Sequence, residues 1–150
     1  MSVKVKLQIP GAAELIRRKG LAGDGAVQMF HTQNVLRRIK RYMPYKSGAT
    51  YKLTVIQTDI RKPEIVTDTP YTHYLFRGEV WGPNIPRREN GVIVGWWSPP
   101  VKHPTGRKLE YTRTIHNPEA GPRWDKALSA AEGEALRADL QRYIDRRSGK

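Results

Sequence analysis

Val3, Val5, Leu7 and Ile9 alternate with Lys4, Lys6 and Gln8, the period-two pattern of a half-buried strand, and Pro10-Gly11 closes it. Residues 12–19 have the make-up of a short helix. Gly20, Gly23 and Gly25 interrupt any continuation, and Asp24 is placed to cap the helix that follows. From about Gly25 to Met43 the period turns helical. Met29, Leu36, Ile39 and Met43 fall on one stripe, with Val35 and Tyr42 on its flank, while Arg37, Arg38, Lys40 and Arg41 fall on the other side. Pro44 ends this long amphipathic helix.

Thr50 to Ile60 is rich in β-formers, Arg61-Lys62-Pro63 breaks the run, and Glu64 to Thr67 resumes it; the pattern predicts an antiparallel hairpin. Thr69 suits an N-cap, Pro70 a first helical position and Gly78 a C-terminal stop. A two-turn helix over 70–77 follows, and its Tyr71, Tyr74, Leu75 and Phe76 are too apolar for a free surface. Residues 79–119 are proline-rich and irregular, which predicts an extended arm or a long ordered loop. Inside it Asn90-Gly91 is a hairpin turn, Val92 to Trp97 a strand, and Arg87, Arg88 and Glu89 exposed positions. A C-terminal helix runs from about Pro122 to Arg147. Its stripe is Trp124, Leu128, Ala131 and Ala135, continued by Leu136, Leu140 and Tyr143. Asp125 stands in its first turn and Arg142, Arg146 and Arg147 in its last, as the helix dipole favours. The expected fold is one α+β domain over 1–150, a small antiparallel sheet packed against the long helix, with a short aromatic helix and a C-terminal helix.

Charge adds a second layer. The chain has 150 residues with 27 Lys+Arg against 14 Asp+Glu, a net charge of +13. Residues 1–48 hold ten of those cations and only two of the anions. Two readings fit such an excess, a surface for nucleic acid or an acidic partner, and a solvated face. Arg37, Arg38, Lys40 and Arg41 are the candidate contacts. No apolar run is long enough to span a membrane. The lysine-punctuated start lacks the pattern of a secretory signal, so the expectation is synthesis in a cytoplasm. With Cys 0, disulfide frameworks, thiol chemistry and cysteine zinc sites are excluded.

A search for reaction chemistry finds no constellation. His31, His73, His103 and His116 form no i, i+4 pair, and no carboxylate stands at a metal-motif spacing from them. There is no nucleophile elbow, Walker loop or dinucleotide fingerprint. Gly20 to Gly25 reads as a flexible joint. Asp59, Glu64 and Asp68 flank the expected hairpin, where a magnesium site of a small nuclease and ordinary surface salt bridging are the alternatives. Trp96-Trp97 beside Arg87-Arg88 fits stacking on single-stranded bases and fits subunit packing equally, and Trp81 joins them as a candidate interface residue. No catalytic residue, metal or cofactor is expected. The residues alone describe a basic interaction module.

Three stretches carry a resemblance. Met43-Pro44-Tyr45-Lys46-Ser47-Gly48 resembles a Pro-Tyr/Phe-x-x-Gly-x-Leu segment, with Thr50-Tyr51 standing where that pattern has Leu. Thr69-Pro70-Tyr71 with Tyr74 and Gly78 resembles a Thr-Pro-Tyr-Ala-x-Tyr-x-x-x-Gly signature. Leu109-Glu110-Tyr111, then His116-Asn117-Pro118-Glu119-Ala120-Gly121 leading to Trp124, resembles a His-Pro-x-Ala-Gly-x-x-Trp lead into a last helix, with one extra residue between His and Pro. In this order they are similar to the minor capsid proteins of tailed bacteriophages, the minor capsid protein 2 group, and to neck and tail-completion proteins. The resemblance implies a structural role in the virion, in the head–tail connector. It implies a homo-oligomeric ring that meets other neck, portal or tail proteins and supports the passage of DNA, with non-specific contact to the genome. Under it Pro44, Gly48, Thr69, Pro70, Tyr71, Tyr74, Gly78 and Trp124 are structural motif positions. The alternative class is a basic nucleic-acid-binding protein free in the cytoplasm.

Overall fold

The computed structural model describes residues 25–147; the expected strand over 3–9 and helix over 12–19 lie outside them. Helix α1 spans Ala26–Ile39 and follows Gly25 in the left-handed region at φ 69, a conformation glycine adopts without strain. It buries Val27, Val35, Leu36 and Ile39, and the turn beyond it buries Tyr42 and Met43. These side chains need a second apolar stripe.

The second helix, Trp124–Arg147, supplies the stripe with Trp124, Leu128, Leu136, Leu140 and Ile144, and becomes α4 in chain order. The two helices run antiparallel. Phe30 stacks on Tyr143, Asn34 reaches Asp139 and Arg38 reaches Glu132, so the partner number falls as the α1 number rises. Within this stripe Ala131 is exposed and Ile144 buried, because four-residue steps from Leu136 and Leu140 lead to Ile144.

The expected hairpin over 50–67 is corrected: Ala49–Gln57 is a helix, α2. Its first turn is set by Gly48 at φ 76, whose carbonyl accepts from the Lys52 amide at 3.0 Å. The strand preference of Thr, Val and Ile is weak and yields to context. Thr50, Thr54 and Thr58, one helical turn apart, are buried. The Thr54 hydroxyl is shared with the Thr50 carbonyl at 2.8 Å and the Thr67 hydroxyl at 2.7 Å. The returning segment with Ile65, Val66 and Thr67 is buried beside α2 without a strand ladder. Its backbone bonds go to side chains instead: the Val66 amide to Thr58 Oγ1 at 3.1 Å, the Asp68 amide to Gln57 Oε1 at 2.8 Å, and Gln57 Nε2 to the Asp68 carbonyl at 2.9 Å. Buried backbone groups are thereby paired.

Helix α3 covers Thr72–Arg77, starting two residues later than expected. Pro70 and Tyr71 stand outside it, and the Thr69 and Thr72 hydroxyls pair at 2.5 Å. Gly78 closes it at φ 75, its amide on the Tyr74 carbonyl at 2.9 Å. Four strands follow, β1 Glu79–Gly82, β2 Ile85–Glu89, β3 Val92–Trp97 and β4 His103–Lys108. β1 pairs with β4 and β2 with β3, both antiparallel, so the second ladder is nested inside the first. Asn90 at φ 49 and Gly91 at φ 80 form the tip turn, as a two-residue hairpin requires. Lys102 Nζ pins the break between the ladders through the Pro83 carbonyl at 3.0 Å and Asn84 Oδ1 at 2.6 Å.

The fold is thus α+β. The main partner of α1 is α4, and the helix against which the base strand β1 packs is α3. Residues 109–122 return to the helical layer and do not extend the arm. Asn117 is fully buried, with Nδ2 on the Met43 and Thr112 carbonyls at 3.4 and 3.3 Å. The Glu119 and Gly121 amides close on the Arg41 and Tyr42 carbonyls.

Candidate functional site

Three surfaces collect the residues singled out by sequence. The first is the β2–β3 tip. Val92 is 65% exposed, Trp96 63% and Trp97 54%, with Ile85, Ile93 and Val94 also exposed. Trp97 stands opposite Ile85 and Trp96 opposite Pro86. Successive strand residues face opposite sides, so both faces of this ribbon present apolar side chains to solvent. Arg87 and Arg88 are exposed on the partner strand. Trp81 meets this surface at Trp96, with which it lines a groove of about 470 Å³. It lies on the outer ladder with its ring centroid 5.0 Å from His73 and 5.6 Å from Tyr74, whereas Trp96 and Trp97 stand on the inner ladder, at the end away from the Asn90-Gly91 turn.

The second surface is a groove of about 680 Å³ where the three resembling stretches converge. Pro44 and Tyr45 come from the first, Tyr71 and Leu75 from the second, and Glu110 and Tyr111 from the third. Tyr71 is exposed on its wall, against the expectation that it is too apolar for a free surface. Gly48 borders Tyr45, whose ring would stand 3.0 Å from an added Cβ. Gly78 is packed more closely still, since a Cβ there would stand 2.6 Å from Pro122 Cβ. Trp124 is 1% exposed, and its ring meets Phe76 edge-on at 4.9 Å. The Tyr111 hydroxyl donates to the Leu75 carbonyl, which ties the third stretch to the second; burial pushes that phenol up to about 12.

The third surface is the seam between α1 and α4, and here the expected cationic face is redistributed. Arg38 bridges to Glu132 at 2.5 Å and to Asp139 at 2.6 Å, its side chain only 23% exposed. Tyr42 donates to the other oxygen of Glu132 at 2.8 Å, and burial, with that bond second, raises its hydroxyl to about 12. Lys40 lies over the Tyr51 ring at 5.5 Å. Arg37 and Arg41 are exposed. Sequence reasoning missed the residues that complete the seam from α4. Asp139 accepts from Asn34 at 2.8 Å, from Arg38 and from Arg142. Those bonds, Asn34 first, hold its carboxyl well below the usual range. Arg37 donates to Asn34 Oδ1 at 2.8 Å. A groove of about 580 Å³ runs over these groups, with Arg37, Arg38, Arg142 and Arg146 on its walls and the Phe30–Tyr143 pair beside them, stacked at 4.1 Å and 3°. The i, i+4 spacing of Arg142 and Arg146 was the available signal. In the sequence reading it served only as a helix-dipole feature.

Among the described residues no three histidines or carboxylates converge as a metal-binding group. Asp59 pairs with the Arg61 backbone amide at 3.0 Å. His73 is buried with neither ring nitrogen bonded, and desolvation, then Arg77, lowers its pKa. His31 is buried with Nδ1 unbonded and its pKa lowered by desolvation. No described helix is long and apolar enough to cross a membrane. No family model, curated protein or solved structure matches this chain.

Proposed function

We propose that this protein is a non-enzymatic structural component of a tailed-phage virion. It assembles as a homo-oligomeric ring in the neck, between portal or head-closure proteins and the tail, around the path of the DNA. The observation that carries the reading is the β2–β3 tip. A two-stranded ribbon is marginal on its own in water, and contiguous exposed apolar surface marks an interaction site. Here the tip carries two tryptophans and four aliphatic side chains, exposed together. Tryptophan and arginine are the residue types that dominate interface energetics. The groove with Tyr45, Tyr71 and Tyr111 on its walls is a different patch from the tip. A tip-to-groove contact is therefore heterologous, the kind that closes into rings. Each of the three stretches that resemble the minor capsid protein 2 group contributes residues to that groove, which supports joining the family resemblance to the assembly reading.

The test joins assembly and location. Wild-type protein should give closed oligomers by native mass spectrometry and should be present in purified virions. The Trp96→Ser/Trp97→Ser variant should fold, remain monomeric and leave heads without tails. A wild-type chain that stays monomeric at every concentration and is missing from virions overturns the reading.

A further inference from the structure

We propose that the groove between α1 and α4 binds the phosphate backbone of nucleic acid. This goes beyond the neck reading and does not rest on it, since it holds equally for a ring component and for a free protein.

The seam brings guanidinium groups from two helices to one opening. Its two acids are already satisfied. Asp139 takes bonds from Asn34, Arg38 and Arg142, and Glu132 takes them from Arg38 and Tyr42. Arg38 is spent on that internal pairing. Arg37 and Arg146 are exposed on the groove walls, and the side chain of Arg142 is 66% exposed while holding Asp139. The network therefore acts as a brace. Asn34 orients the Arg37 fork through its amide oxygen and holds Asp139 through its amide nitrogen, and Asp139 in turn holds Arg142. Forks held in place lose less freedom when they meet a ligand.

The ligand class follows from shape and charge. Arginine forks match phosphate oxygens in paired hydrogen bonds. Arg142 and Arg146 are one helical turn apart, about 6 Å along the axis, close to the separation of successive phosphates on one strand. The opening is a groove rather than an enclosed pocket, which suits a polymer that enters and leaves along it. The net charge of +13 steers polyanions towards the molecule generally. The braced groove gives that attraction a place.

The experiment compares two charge-matched variants. Arg37→Gln/Arg146→Gln removes two groove cations and keeps most of each stem. Arg107→Gln/Lys108→Gln removes two exposed cations on β4. Each binds a labelled duplex oligonucleotide, a labelled single strand and polyglutamate across a KCl series, with melting curves to confirm that the fold is kept. The groove variant should bind both nucleic acids about tenfold more weakly and lower the slope of log affinity against log salt by about 2, one for each lost phosphate contact. The β4 variant should change affinity less than about twofold and leave the slope in place. Equal losses in both variants, or none in the groove variant, overturn the proposal. So does polyglutamate binding tighter than DNA with the same dependence on Arg37 and Arg146, which assigns the groove to an acidic polypeptide.

Discussion

Trp81 and the Trp96–Trp97 pair sit on the same proline-rich ribbon, yet in opposite environments. At the base, β1 lies against α3, and Trp81 packs its ring on His73 and Tyr74. On the inner ladder Trp96 shares a groove with Trp81 and Thr105 but no helix covers it, and Trp96 and Trp97 remain more than half exposed. The residue type is the same, so the difference lies in what the chain places beside it. A helix within reach leaves a tryptophan half-buried. A nested hairpin with no helix beside it leaves the same side chain facing water. The base belongs to the stability of the monomer, and the tip is available to a partner. Substitutions that spread from the helical layer to the tip test this division.

The largest effect belongs to the helical layer. Trp124 is 1% exposed and meets Phe76 edge-on. Trp124→Ala should destabilise the monomer by about 3–5 kcal/mol, read from the midpoint of a urea titration. A loss below about 1 kcal/mol would show that the three motif stretches do not share one core. Gly78→Ala comes next, because two costs add. The φ of 75 penalises any Cβ by about 1–2 kcal/mol. The approach of 2.6 Å to Pro122 adds an overpacking cost of about 1–3 kcal/mol. Gly91 at the tip turn has φ +80 but nothing within 4 Å of an added Cβ. Gly91→Ala therefore carries the first cost without the second. Equal melting shifts for the two variants would remove the distinction between base and tip.

These positions also show what the sequence made legible. Glycines, prolines and the Asn90-Gly91 turn announced the stops, since each reflects a local backbone requirement. The two long helices were visible as periodic patterns, and the β3 strand as an apolar run behind the Asn90-Gly91 turn. Helix α2 was not. Its buried face is Thr50, Thr54 and Thr58, polar residues that a hydrophobic pattern ignores, while Val55 and Ile56, which suggested a strand, are exposed. Burial there follows hydroxyl bonds to Thr67 and Val66, and such long-range partners leave no periodic mark. The arginine seam escaped for a related reason. Arg38 and Asp139 are each unremarkable on their own helix, and only the antiparallel docking of α1 and α4 brings them together.

Asp139 gives an intermediate effect. Asp139→Ala leaves Arg38, Arg142 and Asn34 each short of a partner. At a groove edge that water reaches, the expected cost is about 1–2 kcal/mol at neutral pH. The pH dependence has a definite sign. The folded carboxyl titrates below its unfolded value, so its contribution is complete above about pH 4 and fades as the pH falls below that. Urea midpoints of wild type and Asp139→Ala should therefore draw steadily closer as the pH falls below about 4. A gap that stays constant into acid would mean that lost packing, rather than the charged network, accounts for the cost.

His73 reports on the base in a smaller way. Its imidazole is buried with both nitrogens unbonded, so the fold favours the neutral ring and the pKa is lowered from 6.5. The unfolded chain takes up a proton near pH 6.5, so stability is full above that value and declines as the pH drops below it. His73→Phe keeps an aromatic ring against Trp81 and removes the titration. Its stability should fall less between pH 7 and pH 5 than that of wild type. An unchanged slope would move the pH dependence to His31, the other buried imidazole.

The smallest effect on the monomer should come from the tip, and that is what separates an interface from a core. Trp96→Ser with Trp97→Ser removes the two largest side chains of the hairpin, yet neither is buried, so the monomer midpoint should move by no more than about 0.5 kcal/mol. Hydrogen exchange supplies the second half of the argument. A two-stranded ribbon without a third strand or a covering helix opens readily. Amides from Ile93 to Ser98 should therefore exchange quickly in the free subunit, while those of α1 and α4 stay protected. Under the proposed neck assembly, a partner covering Trp96 and Trp97 should slow the Ile93 to Ser98 amides without altering the helices. Tip amides already protected in the monomer would mean that the hairpin is held by its own domain, and the exposed tryptophans would lose their claim to a partner.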